Sequence, residues 1–344
     1  SFRTLLQTAN PWAYAGLRKV IREFKPDIVH AKIILTQLSP LILPLLRDVP
    51  SLYHVAWYRP ICPTGTRMLP DGSACTVRAG TPCYVNGCLP LRDWAPLMIQ
   101  MKLFRRWRDA FGAVLANSES VRDVLSQNGI DGVEVLHYGI QISEDGIPLF
   151  DTPTVAYAGR LVREKGVDIL IRAFASITAE LPDARLIIAG DGPERGNLEA
   201  LISGLALSAK VIIHGHLSRR ALDDNIGPAW VQVVPSLWAE PFGITAVEAM
   251  LRGTAVVASA SGGLREIVED CKSGYLVPPG DADALSEKLL LLLGDKSLCQ
   301  SIGRAGRARA ESMFSEEAFM KKLLCIYDSL RLRHGERQVR NTVP

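Results

Sequence analysis

Short runs of Val, Ile, Leu and Ala alternate with longer stretches of helical spacing along almost the whole 344-residue chain. From residue 153 onward, six runs read as strands: 154–158, 185–189, 211–214, 231–234, 255–258 and 275–277. Each leads into a turn or an amphipathic segment. That alternation predicts an α/β protein with parallel sheets, and six strands suffice for a complete doubly wound domain. The first part is thinner, with four strand candidates at 27–30, 51–55, 113–116 and 133–136. Residues 139–153, GIQISEDGIPLFDTP, are turn-rich and read as a linker. Near the C-terminus, Ser315-Glu-Glu-Ala is a helix-start signal, and Phe319, Leu323, Leu324 and Tyr327 follow at helical spacing. The expected organisation is a domain over 1–150, a second over 151–314, a C-terminal helix over 315–334, and a loose tail after His334.

Composition narrows the class. Apolar residues make up 48% and charged residues 22%, which excludes a disordered or fibrous chain. The net charge of +3, from 39 basic and 36 acidic side chains, is too even to call for a nucleic-acid partner. No window reaches the roughly 20 apolar residues needed to span a bilayer. No export-signal pattern is visible either, so a cytoplasmic location is expected. Residues 91–116 are both basic and aromatic, with Arg92, Lys102, Arg105, Arg106 and Arg108 among Trp94, Met98, Met101, Phe104 and Trp107. Such a helix either buries its apolar side in the core or lies on an anionic membrane.

Cys271, Cys299 and Cys325 are isolated, whereas Cys62, Cys75, Cys83 and Cys88 share a loop (60–90) rich in Pro, Gly and Thr. Four thiols can hold a structural zinc. Their gaps of twelve, seven and four residues are not the paired spacing of zinc motifs, so structural zinc, disulfides and free thiols all stay open.

The chemistry concentrates in Trp238-Ala-Glu-Pro-Phe-Gly-Ile-Thr-Ala-Val-Glu-Ala-Met250. A strand ends at Pro235-Ser236, Glu240 sits on the loop, and Pro241 and Gly243 open a helix. The N–H groups of Gly243, Ile244 and Thr245 then face the strand ends, where ligands bind in open α/β sheets and where a helix N-terminus suits a phosphate. Glu240 and Glu248 flank that point as acceptors for sugar hydroxyls. Gly190-Asp-Gly192-Pro-Glu-Arg-Gly196 imitates a dinucleotide fingerprint. Its third glycine is one residue too far, and no acidic residue closes the next strand, so an NAD site is not expected.

The Glu240…Glu248 pair resembles the E-x7-E motif of family-4 glycosyltransferases. Gly159-Arg160-Leu-Val-Arg-Glu-Lys165-Gly166 resembles the G-R-x4-K-G element of the same family. Pro235-Ser236, Gly262-Gly263 and Gly274-Tyr-Leu-Val-Pro occur in matching order. The likeness is dense over 154–320 and looser over 27–140. It implies a GT-B fold, two Rossmann-like domains facing a cleft, with the donor bound by the second and the acceptor by the first. It further implies transfer of a hexosyl group from a nucleoside-diphosphate sugar to a hydroxyl, with retention, in polysaccharide or glycolipid synthesis. The partners would be the nucleotide sugar, a saccharide or lipid-linked acceptor, and a peripheral membrane contact.

By the same resemblance, Arg160 and Lys165 stabilise the departing diphosphate, so catalysis needs no metal cofactor. Glu248 binds the ribose and Glu240 a sugar hydroxyl. Gly159, Gly190, Gly215, His216, Phe242, Gly243, Ile244 and Thr245 complete the donor site. His54 corresponds to a histidine that contacts the transferred sugar, although Val55 stands where the family often has Asp; His30 has a counterpart too. Two other readings are a nucleotide-binding remnant without transferase activity and a different GT-B activity such as sugar-nucleotide epimerisation.

Family members also begin with a strand and a Gly-rich loop, whereas the first glycine here is Gly16, within a helical pattern. The N-terminal domain is therefore expected to be incomplete by a few dozen residues. Nucleotide binding with poor transfer, and self-association through an open sheet edge, would follow.

Overall fold

The computed structural model describes residues 2–142 and 148–342, with side chains described as far as residue 335. They form two compact units. One comprises the chain up to His137 together with the segment from Phe319 onward; the other runs from Tyr138 to Ala318. Positions 143–147 of the expected linker lie outside the described residues.

The first unit holds a four-stranded parallel sheet in the order β1-β2-β3-β4, from Val29–Ala31, Ser51–Val55, Ala113–Ala116 and Val133–Val135. Its helices are α1 (Phe2–Thr8), α2 (Pro11–Phe24), the short α3 (Ile34–Gln37) and α4 (Pro82–Val85), α5 (Leu91–Trp107) and α6 (Glu119–Gln127). The pleat of β2 divides its side chains between two coverings. Leu52 joins Ala113, Leu115 and Leu136 in a cluster with Leu323 and Leu330. Tyr53, on the opposite face, stacks on Phe111 at 5.3 Å and meets Phe104 of α5 edge-on at 5.8 Å.

Leu323 and Leu330 belong to α14 (Glu316–Thr342), which continues beyond the expected end at His334. No proline interrupts the Glu336–Thr342 stretch, and its Glu, Arg and Gln residues are good helix formers. Polar bonds anchor α1: Gln100 Nε2 donates to the carbonyls of Gln7 and Leu35 at 2.6 and 2.8 Å, and Thr4 Oγ1 donates to Asp93 at 2.6 Å. By contrast α2 buries none of its side chains, and Trp12 and Phe24 are 70% and 76% exposed.

The second unit holds a six-stranded parallel sheet in the order β10-β9-β8-β5-β6-β7. In chain order the elements are β5 (Thr154–Ala158), α7 (Val167–Ile177), β6 (Arg185–Ala189), α8 (Arg195–Gly204), β7 (Val211–Gly215) and α9 (Arg219–Ile226). Then come β8 (Val231–Val234), α10 (Ile244–Leu251), β9 (Ala255–Ser259), α11 (Leu264–Ile267), β10 (Tyr275–Val277), α12 (Ala282–Leu293) and α13 (Lys296–Phe314). Every residue of β5, β8 and β9 is buried, so apart from Thr154, Gln232 and Ser259 they are apolar without alternation. Apolar clusters flank the sheet. Leu170, Phe174 and Ile177 of α7 pack with Leu285, Leu289 and Leu292 of α12, while Val247 and Met250 of α10 pack with Ala310 and Phe314 of α13.

Candidate functional site

The chain order turns around between β5 and β8. From β5 it proceeds outward through β6 to β7; from β8 it proceeds the other way through β9 to β10. Open α/β sheets bind ligands at the carboxyl ends of the strands flanking such a switch point. The loops leaving those two strands here carry residues 159–166 and 235–243.

Those loops meet through one ion pair. Lys165 Nζ lies 3.0 and 2.8 Å from Glu240 Oε1 and Oε2, with side chains only 18% and 11% exposed. Glu240 Oε2 also accepts from Ser236 Oγ at 2.8 Å and Trp238 Nε1 at 2.9 Å. Four charge-assisted bonds hold this carboxylate in one orientation. Oε2 receives three of them, so Oε1 keeps the larger acceptor capacity for a ligand hydroxyl. Lys165 further sits over the Trp238 ring at 5.4 Å.

Glycines bring the backbones together. Gly166 has φ 62°, and a β-carbon there would stand 2.2 Å from the Pro235 carbonyl oxygen. At Gly190 a β-carbon would lie 1.8 Å from Gly159 O. The main chains after β5, β6 and β7 are laced by Gly159 N–H to Ala189 O, Leu161 N–H to Asp191 O, and Gly190 N–H to Gly215 O. The pseudo-dinucleotide loop is thus a wall of this strand-end region, and its glycines serve close backbone approach.

The two cations point differently. Arg160 is 68% exposed and pairs with Glu164 at 3.6 Å. Its carbonyl accepts from Tyr157 Oη at 2.9 Å, and burial, followed by the charge of Glu240, raises the Tyr157 phenol. Gly243 caps α10 with φ 119° and no capping side chain, while Leu264 stands where its β-carbon would be. Phe242 is buried, packed edge-on against Tyr138 and Phe314. Ile244 and His216 are exposed, and Thr245 is half-buried. Glu248 is half-buried, and burial raises its pKa against the charges of Arg252 and Arg219. Buried Arg252 donates to Gln232 Oε1 at 2.8 Å, and Gln232 Nε2 donates to the Thr245 carbonyl at 2.9 Å, so a polar strut supports α10.

Gln232 and Arg252 escaped the sequence reading, and Ser236 and Trp238 were read as parts of motifs without a role at Glu240. For Ser236 and Trp238 a signal existed, since both lie within four residues of Glu240. For Gln232 and Arg252 there was none.

His54 belongs to the first unit. It is fully buried, stacked on His30 at 5.5 Å, and its pKa is lowered to about 3 by burial, then by Lys32 and His30, against a hydrogen bond with the Leu136 backbone.

Cys62, Cys75, Cys83 and Cys88 are free thiols. Burial first, then neighbouring thiols of the same cluster, raises Cys83 and Cys88. Among the described residues no three His, Cys, Asp or Glu side chains are disposed to hold a metal.

The basic, aromatic helix expected near 91–116 buries Leu97, Met101 and Phe104 in the core. That buried side packs on α1 and on residues 40–46, while Leu91 and Ile99 of the same helix are exposed. No helix among the described residues is long and apolar enough to cross a membrane.

Residues 144–309 match the family model for glycosyl transferases group 1. This second unit is a match to the group 1 glycosyltransferases. It is 33% identical over 184 residues to an alpha-D-kanosaminyltransferase of Streptomyces kanamyceticus, covering 54% of this chain and 47% of that protein. A GDP-mannose-dependent phosphatidylinositol monomannoside mannosyltransferase of Corynebacterium glutamicum is 34% identical over 184 residues, 52% of this chain and 48% of its own length. The chain thus spans about half the length of these curated relatives. The first sheet is matched as well: the sucrose-phosphate synthase of Thermosynechococcus elongatus superposes with a TM-score of 0.73 at 25% identity, covering 94% of this chain and 79% of that one. An Anabaena protein solved with UDP and glucose, HepE, superposes at 0.70 with 21% identity, over 92% and 81% of the two chains. The chain has a GT-B fold, built from two Rossmann-like α/β domains.

Proposed function

We propose that the chain is a family-4 glycosyltransferase that moves a hexosyl group from a nucleoside-diphosphate sugar to a hydroxyl of a saccharide or lipid-linked acceptor, with retention. The observation that carries this reading is the Lys165–Glu240 pair where β5 and β8 end, held by Ser236 and Trp238. A cation for a leaving diphosphate and an oriented carboxylate for a sugar hydroxyl stand side by side. Lys165 stabilises the charge that grows on the diphosphate, and Arg160 swings from Glu164 to join it. Glu240 Oε1 orients the sugar, and Glu248 accepts from the ribose. In this reading the departing phosphate assists the incoming hydroxyl on the same face, which gives retention without a covalent enzyme intermediate.

A thermal-shift series with UDP, GDP, ADP and their glucose or mannose conjugates tests the donor site. One nucleotide series is expected to raise Tm selectively, because a ligand bound only by the folded state stabilises it by mass action. No shift with any diphosphate at millimolar concentration would remove the basis of the proposal.

Transfer is expected to survive a metal chelator, since Lys165 and Arg160 supply the positive charge. Activity lost without unfolding, then restored by magnesium or manganese, would contradict that assignment. Unfolding by the chelator would instead assign a structural metal to the four-cysteine loop.

A further inference from the structure

The first unit contains a polar cluster that the donor chemistry does not use. His30 on β1 pairs in register with Leu52 on β2, so His30, Leu52 and His54 share one face of the sheet. The His30 and His54 rings stack at 5.5 Å with an interplanar angle of 30°. That face is covered by α14, which brings Tyr327 to His30: the phenol oxygen lies 2.8 Å from Nδ1, and the two rings meet edge-on at 6.0 Å. His30 Nε2 is buried and has no hydrogen-bond partner among the described residues.

Burial and then Lys32 lower His30 to about 4, so this imidazole is neutral near pH 7 and one ring nitrogen is a lone-pair acceptor. Burial raises the Tyr327 phenol, which therefore keeps its proton. A protonated phenol facing a neutral imidazole nitrogen is the better donor of the two, and donation to Nδ1 leaves the imidazole proton on Nε2.

We propose that Tyr327 is a positioning residue for the paired imidazoles. Its O–H donates to His30 Nδ1, fixes His30 as the neutral Nε2–H tautomer, and holds that ring in its stacked place beside His54. A C-terminal helix distant in sequence would thus set the orientation of His54, the histidine that the family resemblance assigns to the transferred sugar. The link to transfer rests on that functional reading; the tautomer does not.

The test is nitrogen-15 NMR of selectively labelled histidine in the intact chain, alongside Tyr327→Phe. The wild-type His30 is expected to show a protonated Nε2 and an acceptor Nδ1 at pH 7. Tyr327→Phe keeps the ring that packs beside Leu323 and Leu330, and is expected to move the Nδ1 resonance toward that of a free lone pair and mix the tautomers. In the transfer assay the variant should lose about tenfold in kcat with donor KM unchanged, as for one lost hydrogen bond. A wild-type spectrum with the proton on Nδ1, an imidazolium at pH 7, or a Tyr327→Phe spectrum unchanged at His30 would overturn the proposal. If the wild type transferred no sugar, the tautomer would still decide this proposal, and the functional reading alone would fall.

Discussion

Replacing Lys165 by alanine is expected to lower kcat about 100- to 1000-fold, the size typical of removing one preorganised charge-stabilising contact. The ammonium is held at 2.8 and 3.0 Å from Glu240 and only 18% exposed, so water replaces it poorly. The same change strips Glu240 of its cation and leaves a carboxylate that Ser236 and Trp238 still hydrogen-bond, so some loss of Tm is expected as well. Kinetics below the variant's Tm separate the two effects. Arg160→Ala should cost less, because Arg160 is 68% exposed and free to swing. Wild-type kcat in Lys165→Ala would mean that the diphosphate does not bind at this strand end.

Gly166→Ala is expected to destabilise the second unit by about 3–5 kcal/mol, combining a left-handed backbone penalty with overpacking. Gly166 has φ 62°, and its new methyl would be driven to 2.2 Å from the Pro235 carbonyl, a backbone atom with no rotamer to escape into. The unit's melting transition should fall by roughly 6–20 °C, at about 2–4 °C per kcal/mol for a domain of this size. Nucleotide affinity should fall too, since Gly166 follows Lys165 and its neighbour Glu164 accepts from the Leu237 N–H across the two loops. Gly196→Ala is the built-in contrast. Gly196 lies in α8 with nothing within 4 Å of the added carbon, so the change should leave stability unaltered or raise it by about 0.5–1 kcal/mol. Equal melting of Gly166→Ala and the wild type would show that the loop after β5 is not held against the loop after β8.

Much of the second unit was readable from residue order. The six runs expected as strands coincide with β5 to β10 to within a residue at each end, because short runs dominated by apolar residues and bounded by turns suit strands of a largely covered parallel sheet. The four runs before residue 140 likewise became β1 to β4, with the first displaced by one or two residues. Glu240 and Glu248 were legible from their places around the start of a helix, and Arg160 and Lys165 through the resemblance to the family's G-R-x4-K-G element. The family resemblance implies that Arg160 and Lys165 serve one diphosphate; in the structure Arg160 pairs with Glu164 and Lys165 with Glu240. Side-chain direction depends on which neighbours lie in space, and the sequence carries no mark of it.

Residue order by itself determined what depends on neighbours a few positions away. Strands, helices, the glycines demanded by tight turns and the motif around Glu240 all follow from local periodicity and backbone sterics. Tertiary structure decided what joins distant segments. Lys165 and Glu240 stand 75 positions apart and meet only because β5 and β8 pair side by side in parallel. Leu97, Met101 and Phe104 became core because α1 and residues 40–46 pack on α5, although their pattern also suited a membrane. Tyr327 reaches His30 across 297 positions because α14 lies on the face that β1 and β2 present. Contacts of this kind are fixed by strand register and helix packing, which arise from burial summed over the whole unit rather than from any local run of residues.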